Sequence, residues 1–408
     1  MKKEWAFTKL KTHTTKIGSG ITPRGGESTY KATGIPFIRS QNVLTNRLDF
    51  SDIAFIDEKQ HEKMSASKVY PGDVLLNITG ASIGRSCVVP LEITEANVNQ
   101  HVCIIRLKES IDANLLSTYL NSWFGQKQIW SFQSGGSREG LNYQQIGSFD
   151  VPQPPLPEQK AIADLFSTWD EAINKTEMLI QAKEKKLDAY GRELFNRKNE
   201  MKYNGWKKIA LGDILTEHKD KSDCTEEVYS VSVHKGLVNQ VEHLGRSFSA
   251  VNTDHYNKVH YGDIVYTKSP TGDFPLGIVK QSYTKKDVIV SPLYGVFTPA
   301  SFSLGVVIDF YFSSPTRARN YLFPIIQKGA KNTIAVTNKT FLSKKLYLPL
   351  DEEAQNIVSD YVTTSNKEID LLKQLAEKYK TQKRGLMQKM LTGEWRMKSE
   401  IINQYREA

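Results

Sequence analysis

The sequence predicts an α+β fold in which two tandem mixed α/β bodies alternate with two long antiparallel coiled-coil helices, under a pseudo-two-fold relation. Three observations predict it. The stretch "PPLPEQKAIADLFSTWDEAI" from Pro154 returns as "LPLDEEAQNIVSDYVTTSNKEI" from Leu348, placing Gln159 over Gln355, Asp164 over Asp360 and Ile173 over Ile369, each pair 196 positions apart. Inside both copies apolar residues recur every seven positions, the mark of a helix packed lengthwise on another helix. Before each copy lie short β-branched and aromatic runs bounded by Gly, Pro and Asp, which read as strands and turns. The chain therefore divides into a body at 1–153, a helix at 154–200, a second body at 201–348, a second helix at 349–397 and a tail at 398–408.

In the first body "DVLLNIT" and "HVCIIRL" are strand candidates, and "ANLLSTYLNSWFGQKQIW" (Ala113–Trp130) is a helical patch. Gly72-Asp73, just ahead of the first run, is a turn leading into a strand. The first long helix carries the rows Phe166, Ile173, Ile180, Leu187, Leu194 and Ile162, Trp169, Thr176, Lys183, Tyr190. Pro157 suits a first helical position. The second body repeats the plan: "VHYGDIVYTKSPTG" from Val259 matches "VYPGDVLLNITG" from Val69, Trp206 matches Trp5, and "FSSPTRARNYLFPIIQK" takes the place of the helical patch. The second helix carries Val362, Ile369, Ala376, Lys383, Met390 and Val358, Ser365, Leu372, Tyr379, Leu386, with Asp351 as its N-cap.

From these rows Phe166, Trp169, Ile173, Ile180, Leu187, Leu194, Val362, Ile369, Leu372, Tyr379 and Leu386 are the expected helix–helix packing residues. Gly191 and Gly385 each cost about 1 kcal/mol inside a helix, and close packing would explain them. Each helix is about 38 residues and roughly 55–60 Å long. The short segment around Leu346–Pro349 cannot carry the chain back over that length, so the helices should run antiparallel.

Composition narrows the function. The 408 residues are 39% apolar and 24% charged, as in a soluble globular protein. The longest apolar run, "LGVVIDFYF" from Leu304, is short and carries Asp309, and "MKKEWAFTKLK" at the start does not read as a signal peptide. Cys87, Cys103 and Cys224 lack C-x-x-C spacing and read as buried reduced thiols of a cytoplasmic protein. The net charge of +9 divides as +3 over 1–153, −1 over 154–201, +7 over 202–348 and 0 over 349–408. A positive excess on both bodies points to contact with a polyanion, against the plainer alternative of ordinary solubility charge.

No Gly-Lys pair exists, hence no Walker-type phosphate loop. "IGSGI" at Ile17–Ile21 lacks the strand–glycine–helix context of nucleotide binding. The eight histidines show no metal-ligand spacing, His255 and His260 being five apart, so no metal site is read. Nucleophile motifs are absent as well. No catalytic residue is expected on this chain.

"IGSGITPRGGESTYKATGIPFIRSQNV" near the start, "GDVLLNITGASIGRSCVV" in the middle of the body and "QPPLPEQKAIADLFSTWDEAI" at its exit resemble the specificity subunit of type I restriction-modification enzymes. The resemblance covers the whole chain except about the last ten residues, although "PLDEEAQ" departs from "PLPEQK" in the second copy. It implies that 1–153 and 201–348 are target-recognition domains, each reading one half of a split DNA sequence. The helices would set the spacer. A stiff spacer of about 50 Å spans about 15 base pairs. Because the bodies share a framework and differ elsewhere, the half-sites should differ too.

Family resemblance also implies the partners: double-stranded DNA, two methyltransferase (M) subunits that bind S-adenosylmethionine, and often two motor-nuclease (R) subunits that use ATP and Mg. No membrane is involved, and this chain itself carries no cofactor. The rivals are a non-catalytic coiled-coil scaffold without sequence-specific reading, and the specificity part of a type II-like restriction-methylation enzyme.

Polar and basic loop residues are the DNA-reading candidates. In the first body they are Arg24, Arg39, Ser40, Gln41, Thr79, Ser82, Arg85, Gln100, Ser137, Arg138 and Asn142; in the second, Lys268, Ser269, Thr271, Lys328, Lys331, Asn332 and Asn338. Arg pairs bidentately with guanine, and Asn and Gln with adenine, while Lys positions phosphate. The glycine-flanked "SGGSREG" tip stands first among them.

Overall fold

The computed structural model describes residues 5–133, 140–196, 203–241, 253–328 and 334–406. The chain forms two compact units, Met1–Glu177 with Gln374–Ala408, and Met178–Lys373. Each unit holds one body and a part of both long helices.

In the first unit, strand Ala6–Lys9 pairs antiparallel with Asp150–Gln153, the strand that hands the chain to the first long helix. The central sheet is antiparallel, in the order Thr14–Ser19, Val102–Leu107, Val74–Asn77, Ser86–Val88. Strand side chains alternate between faces, and here both faces are covered. Val74, Leu76, Cys103 and Ile105 face a core with Leu115, Leu116, Tyr119 and Leu120 of helix Ala113–Asn121. Leu75, Cys87, Val102 and Ile104 face another core with Val69, Val98 and Ile38. A second four-stranded sheet, which holds Ile35–Ile38 and Ala96–Val98 as a parallel pair, supplies that other core.

The second unit repeats the entry pair and the central sheet, while its other strands form two-stranded pairs, among them Tyr229–Ser232 with Gly236–Asn239 and Asn257–Val259 with Val288–Val290. Trp206–Ala210 pairs antiparallel with Lys345–Pro349. Its central sheet runs Leu215–Glu217, Gly295–Pro299, Ile264–Tyr266, Val279–Gln281. Ile264 and Tyr266 face a core with Leu304 and Val307 of helix Phe302–Phe312, and Val265 faces another with Val259, Val288, Val290 and Val296. The duplication seen in the sequence is thus a duplication of strand order. Both Gly-Asp pairs are turns into strands, as expected. Gly72 and Gly262 sit at φ 83° and 92°, a region that favours glycine. Asp73 and Asp263 accept hydrogen bonds from Tyr70 N and His260 N at 2.9 and 2.7 Å.

The long helices are Leu156–Leu194 and Glu352–Met390, 39 residues each. Pro157 is the second helical residue, one place later than expected, because the helix begins at Leu156. Asp351 caps the second helix by accepting from Ala354 N at 3.1 Å. The repeated glutamines are buried and do one job twice. Gln159 accepts from the backbone of Asp112, the N-cap of helix Ala113–Asn121, at 2.8 Å and donates to Pro154 O at 2.9 Å. Gln355 accepts from the hydroxyl of Ser301, the N-cap of helix Phe302–Phe312, at 2.6 Å and donates to Pro349 O at 3.2 Å. Each glutamine therefore locks the start of a long helix to the helix that packs on the central sheet of its body.

The helices run antiparallel in both units. In the first, Trp169 meets Tyr379 edge-on at 5.8 Å, Asp170 pairs with Lys383 at 2.5 Å and Glu177 with Lys380 at 2.9 Å. In the second, Lys183 pairs with Glu368 and Glu184 with Lys373, both at 2.7 Å, and Tyr190 lies against Tyr361. Numbers rise on one helix as they fall on the other. Ile173, Ile180, Ile369 and Ala376 are buried, while Trp169, Leu187, Leu372, Tyr379 and Leu386 are half-buried. Phe166 turns into the core of the first body, and Leu194 and Val362 into that of the second.

Gly191 is tightly packed, a Cβ there falling 2.9 Å from Phe310 Cζ, whereas none of the described residues lies within 4 Å of a Cβ at Gly385. Close packing explains only the first. Burial pushes the Cys87 and Cys103 thiols up to about 12. Cys224, expected to be buried, is exposed, because it sits in a polar turn at φ 63°.

Candidate nucleic-acid interface

In the first body the candidate residues cluster at the loop that follows strand Val74–Asn77. Gly80 and Gly84, at φ 73° and 89°, let the chain turn sharply there. A Cβ at Gly84 would fall 2.7 Å from Gln126 Oε1, so this loop is held against the body. Asn77, fully buried, donates to Ser40 O at 2.8 Å and to Ser82 Oγ at 3.1 Å. One side chain thus joins the Arg39–Asn42 loop to the Thr79–Arg85 loop.

Beside this joint, Thr79 Oγ1 and His101 Nδ1 lie 2.6 Å apart, and His101 Nε2 lies 3.0 Å from the Gln100 amide. Gln100 also accepts from the Thr22 hydroxyl. Thr79 bridges to Gly140. Asn142 and Gln145 form a reciprocal capping box at 2.9 Å on helix Tyr143–Gly147, whose Tyr143 hydroxyl meets Ser19 Oγ at 2.5 Å. Four stretches, 19–22, 77–85, 99–101 and 140–145, therefore share one polar network. The far nitrogen of His101 meets the Gln100 amide rather than a carboxylate, so among the described residues the Thr79–His101 pair lacks the third member of a nucleophilic triad. What remains is an array of hydroxyl, amide and imidazole groups suited to hydrogen bonding with base edges and phosphates.

The candidates differ in what they have left to offer. Arg24, Arg85, Gln100 and Asn142 are exposed. Arg39 is committed to its own loop: it donates to Asp52 O at 2.7 Å, pairs with the Asp52 carboxylate at 3.2 Å and lies 5.6 Å over the Tyr30 ring. Gln41 donates to the same carboxylate at 2.5 Å. Thr79 and Ser82 are half-buried. Ser137 and Arg138 lie outside the described residues. Thr22, Asn77, His101 and Tyr143 belong to the network and escaped sequence reasoning; the proximity of His101 to Gln100 was the only local signal.

In the second body the corresponding loop, between Ile264–Tyr266 and Val279–Gln281, is built differently. Lys268 sits at φ 59°, and a Cβ on Gly277 would fall 2.7 Å from its backbone nitrogen. Burial lowers the Lys268 ammonium below its ordinary value, against the opposing pull of Glu217. Asn338 donates to Glu217 Oε1 at 2.7 Å, so Lys268 and Asn338 converge on one carboxylate. Ser269 and Thr271 are exposed, Thr271 closing a turn with Phe274 through backbone bonds of 3.0 and 2.9 Å. Lys328 lies in strand Gln327–Lys328, paired with Ile334–Ala335. Lys331 and Asn332 lie outside the described residues. Among the described residues, no helix is long and apolar enough to cross a membrane.

Known proteins share this arrangement. Residues 2–184 match the type I restriction modification DNA specificity domain. The MjaX subunit of Methanocaldococcus jannaschii, named as a type I restriction enzyme specificity subunit, is 20% identical, covering 97% of this chain and 95% of its own. The type I restriction enzyme EcoKI specificity subunit of Escherichia coli strain K12 is 22% identical over 87% of this chain and 80% of its own. The crystal structure of the type I restriction-modification S subunit from M. genitalium shares the fold with a TM-score of 0.61 at 13% identity, over 95% of this chain and 96% of its own. A chain from a structure of type I restriction-modification complex assembly aligns with a TM-score of 0.53 at 14% identity, over 96% and 98%. With its duplicated bodies and paired helices, the chain belongs to the type I restriction-modification specificity (S) subunits: it is the DNA specificity subunit of such an enzyme, a recognition subunit and not a catalytic one.

Proposed function

We propose that residues 1–153 and 201–348 each read one half of an asymmetric bipartite duplex target, and that the paired helices set the spacer between the halves. The observation that carries this reading is the sharing of one strand order by both bodies while the equivalent loops, 77–85 and 267–278, differ in sequence and bonding. Two readers on one framework with unlike loops recognise unlike half-sites. The positive excess on both bodies supplies the sequence-independent attraction to phosphate. Arg24, Arg85, Gln100 and Asn142 are the groups best exposed to reach DNA in the first body.

The partners follow from the same reading. Two methyltransferase subunits that use S-adenosylmethionine dock near the helices, one per pseudo-symmetric half, and two motor-nuclease subunits that use ATP and Mg join where the system encodes them. Methylome sequencing after co-expression with the cognate methyltransferase tests the proposal. The expected result is methylated adenine in a split motif with two unlike halves; one continuous motif, or a perfect palindrome, contradicts it.

A further inference from the structure

The Gly-Asp turns hide a difference between the two bodies. In the first, the buried Asp73 carboxylate is matched by Arg106, which grips it through Nε at 2.8 Å and a terminal nitrogen at 2.7 Å. In the second, strand register puts Thr298 where Arg106 stands: Val74 faces Ile105 as Ile264 faces Phe297, and the next residues are Arg106 and Thr298. Thr298 donates to Asp263 at 2.9 Å but brings no charge. Asp263 is only 2% exposed, and a buried carboxylate without a cation is costly. The group that approaches it instead is His218, whose Nε2 donates to Asp263 Oδ2 at 2.9 Å.

That bond leaves His218 Nδ1 as an acceptor, buried and with no hydrogen-bond partner among the described residues. It faces Asp220 Oδ2 at 3.7 Å, beyond hydrogen-bond range. On the other side of Asp220 Oδ2, at 3.2 Å, is His260 Nε2, whose ring is oriented through Nδ1 by Asp287 at 2.9 Å. One ligand atom from each of His218, Asp220 and His260 lies within 4.8 Å of the other two. Ligand bonds of about 2.0–2.2 Å in a tetrahedron put neighbouring donors about 3.3–3.6 Å apart, so the edges of 3.7 and 3.2 Å lie close to that range and the third closes by a small side-chain movement. Each histidine has a carboxylate behind its far nitrogen, the arrangement that fixes tautomer and raises basicity in metal-bound imidazoles.

We propose that His218, Asp220 and His260 form a three-ligand site for a divalent transition cation of the zinc class in the second body. Two imidazoles and a carboxylate select such a cation over magnesium or calcium. The site ties the segment after strand Leu215–Glu217 to the turn after Asn257–Val259. It also places through His218 the positive charge that Arg106 provides in the first body. Its fourth position faces solvent, Asp220 being 60% exposed, and takes water.

The experiment is zinc titration of the untagged, chelator-stripped full-length chain by calorimetry, with cobalt as a spectroscopic probe. The expected result is one equivalent of zinc bound with a Kd below about 10 μM, a rise in melting temperature, and cobalt absorption bands typical of tetrahedral nitrogen–oxygen ligation. Asp220→Asn and His260→Gln, both at accessible positions, should abolish these signals, and Asp287→Asn should weaken zinc about 10- to 100-fold. Cys224→Ser should bind as the parent does. Melting curves without metal confirm that each variant is folded, and Asp220→Asn keeps the test valid if His218→Ala fails to fold by stranding Asp263. Absence of zinc binding, or undiminished binding in Asp220→Asn and His260→Gln, overturns the proposal, leaving His218 and His260 as hydrogen-bond partners of their carboxylates.

Discussion

Gln159 and Gln355 show how much one side chain can organise. Each is buried and uses its oxygen and its nitrogen on two different backbone or capping groups. Replacing either by Ala strands those partners away from water, so Gln159→Ala and Gln355→Ala should each lower unfolding free energy by about 1–3 kcal/mol in urea titrations. Exposure makes a second prediction. In the native protein Cys224 alone should react with an alkylating or disulfide reagent, because burial holds Cys87 and Cys103 as thiols up to about 12 and only the thiolate is nucleophilic; in denaturant all three should react. Rapid native labelling of Cys87 or Cys103 would contradict the packing described for both. At this scale the sequence was legible in part. It marked Gln159, Gln355, Thr79 and Gln100, and it also marked Arg39 and Gln41, which Asp52 binds into their own loop. Residue type says what a group can bond to, and only its neighbours say what is left over.

Among the elements, the long helices were the most legible, since a seven-residue period over five repeats has no other local explanation. Their starts and ends, Leu156–Leu194 and Glu352–Met390, keep the 196-residue offset throughout. Lys383, buried in an otherwise apolar row of the second helix, pairs with Asp170, and such a polar pair helps specify register. The two helical glycines should respond oppositely to Ala. Gly385→Ala meets none of the described residues and should stabilise by about 1 kcal/mol through helix propensity. Gly191→Ala would drive a methyl into Phe310 and Arg317 and should destabilise by about 1–3 kcal/mol as overpacking. Thermal or urea denaturation of the two variants checks both signs. The bodies were less legible, because their strands are mostly three to six residues long and are covered on both faces, so the alternation that betrays a half-exposed strand is missing.

For the whole molecule the predictions concern assembly. One specificity chain should saturate with two methyltransferase chains, measured by native mass or light scattering; saturation at one to one would contradict the proposal of one methyltransferase per pseudo-symmetric half. Binding of that complex to duplex DNA should weaken steeply with salt, by a factor on the order of 10³ between low and moderate ionic strength if six or more phosphates are neutralised. A salt-independent association would favour a scaffold without DNA reading.

By itself the sequence determined that the chain is a duplication, that each half ends in a helix of about forty residues, and that the two helices oppose one another. These are consequences of local periodicity and chain connectivity, which need no knowledge of distant contacts. Tertiary structure alone decided which loop groups are consumed by internal bonds, that Asn77 and His101 knit four loops together, and that His218 and His260, forty-two positions apart, flank one carboxylate. Those meetings are set by which strand lies beside which and in what register, a property of the packed sheet that no short window of residues contains.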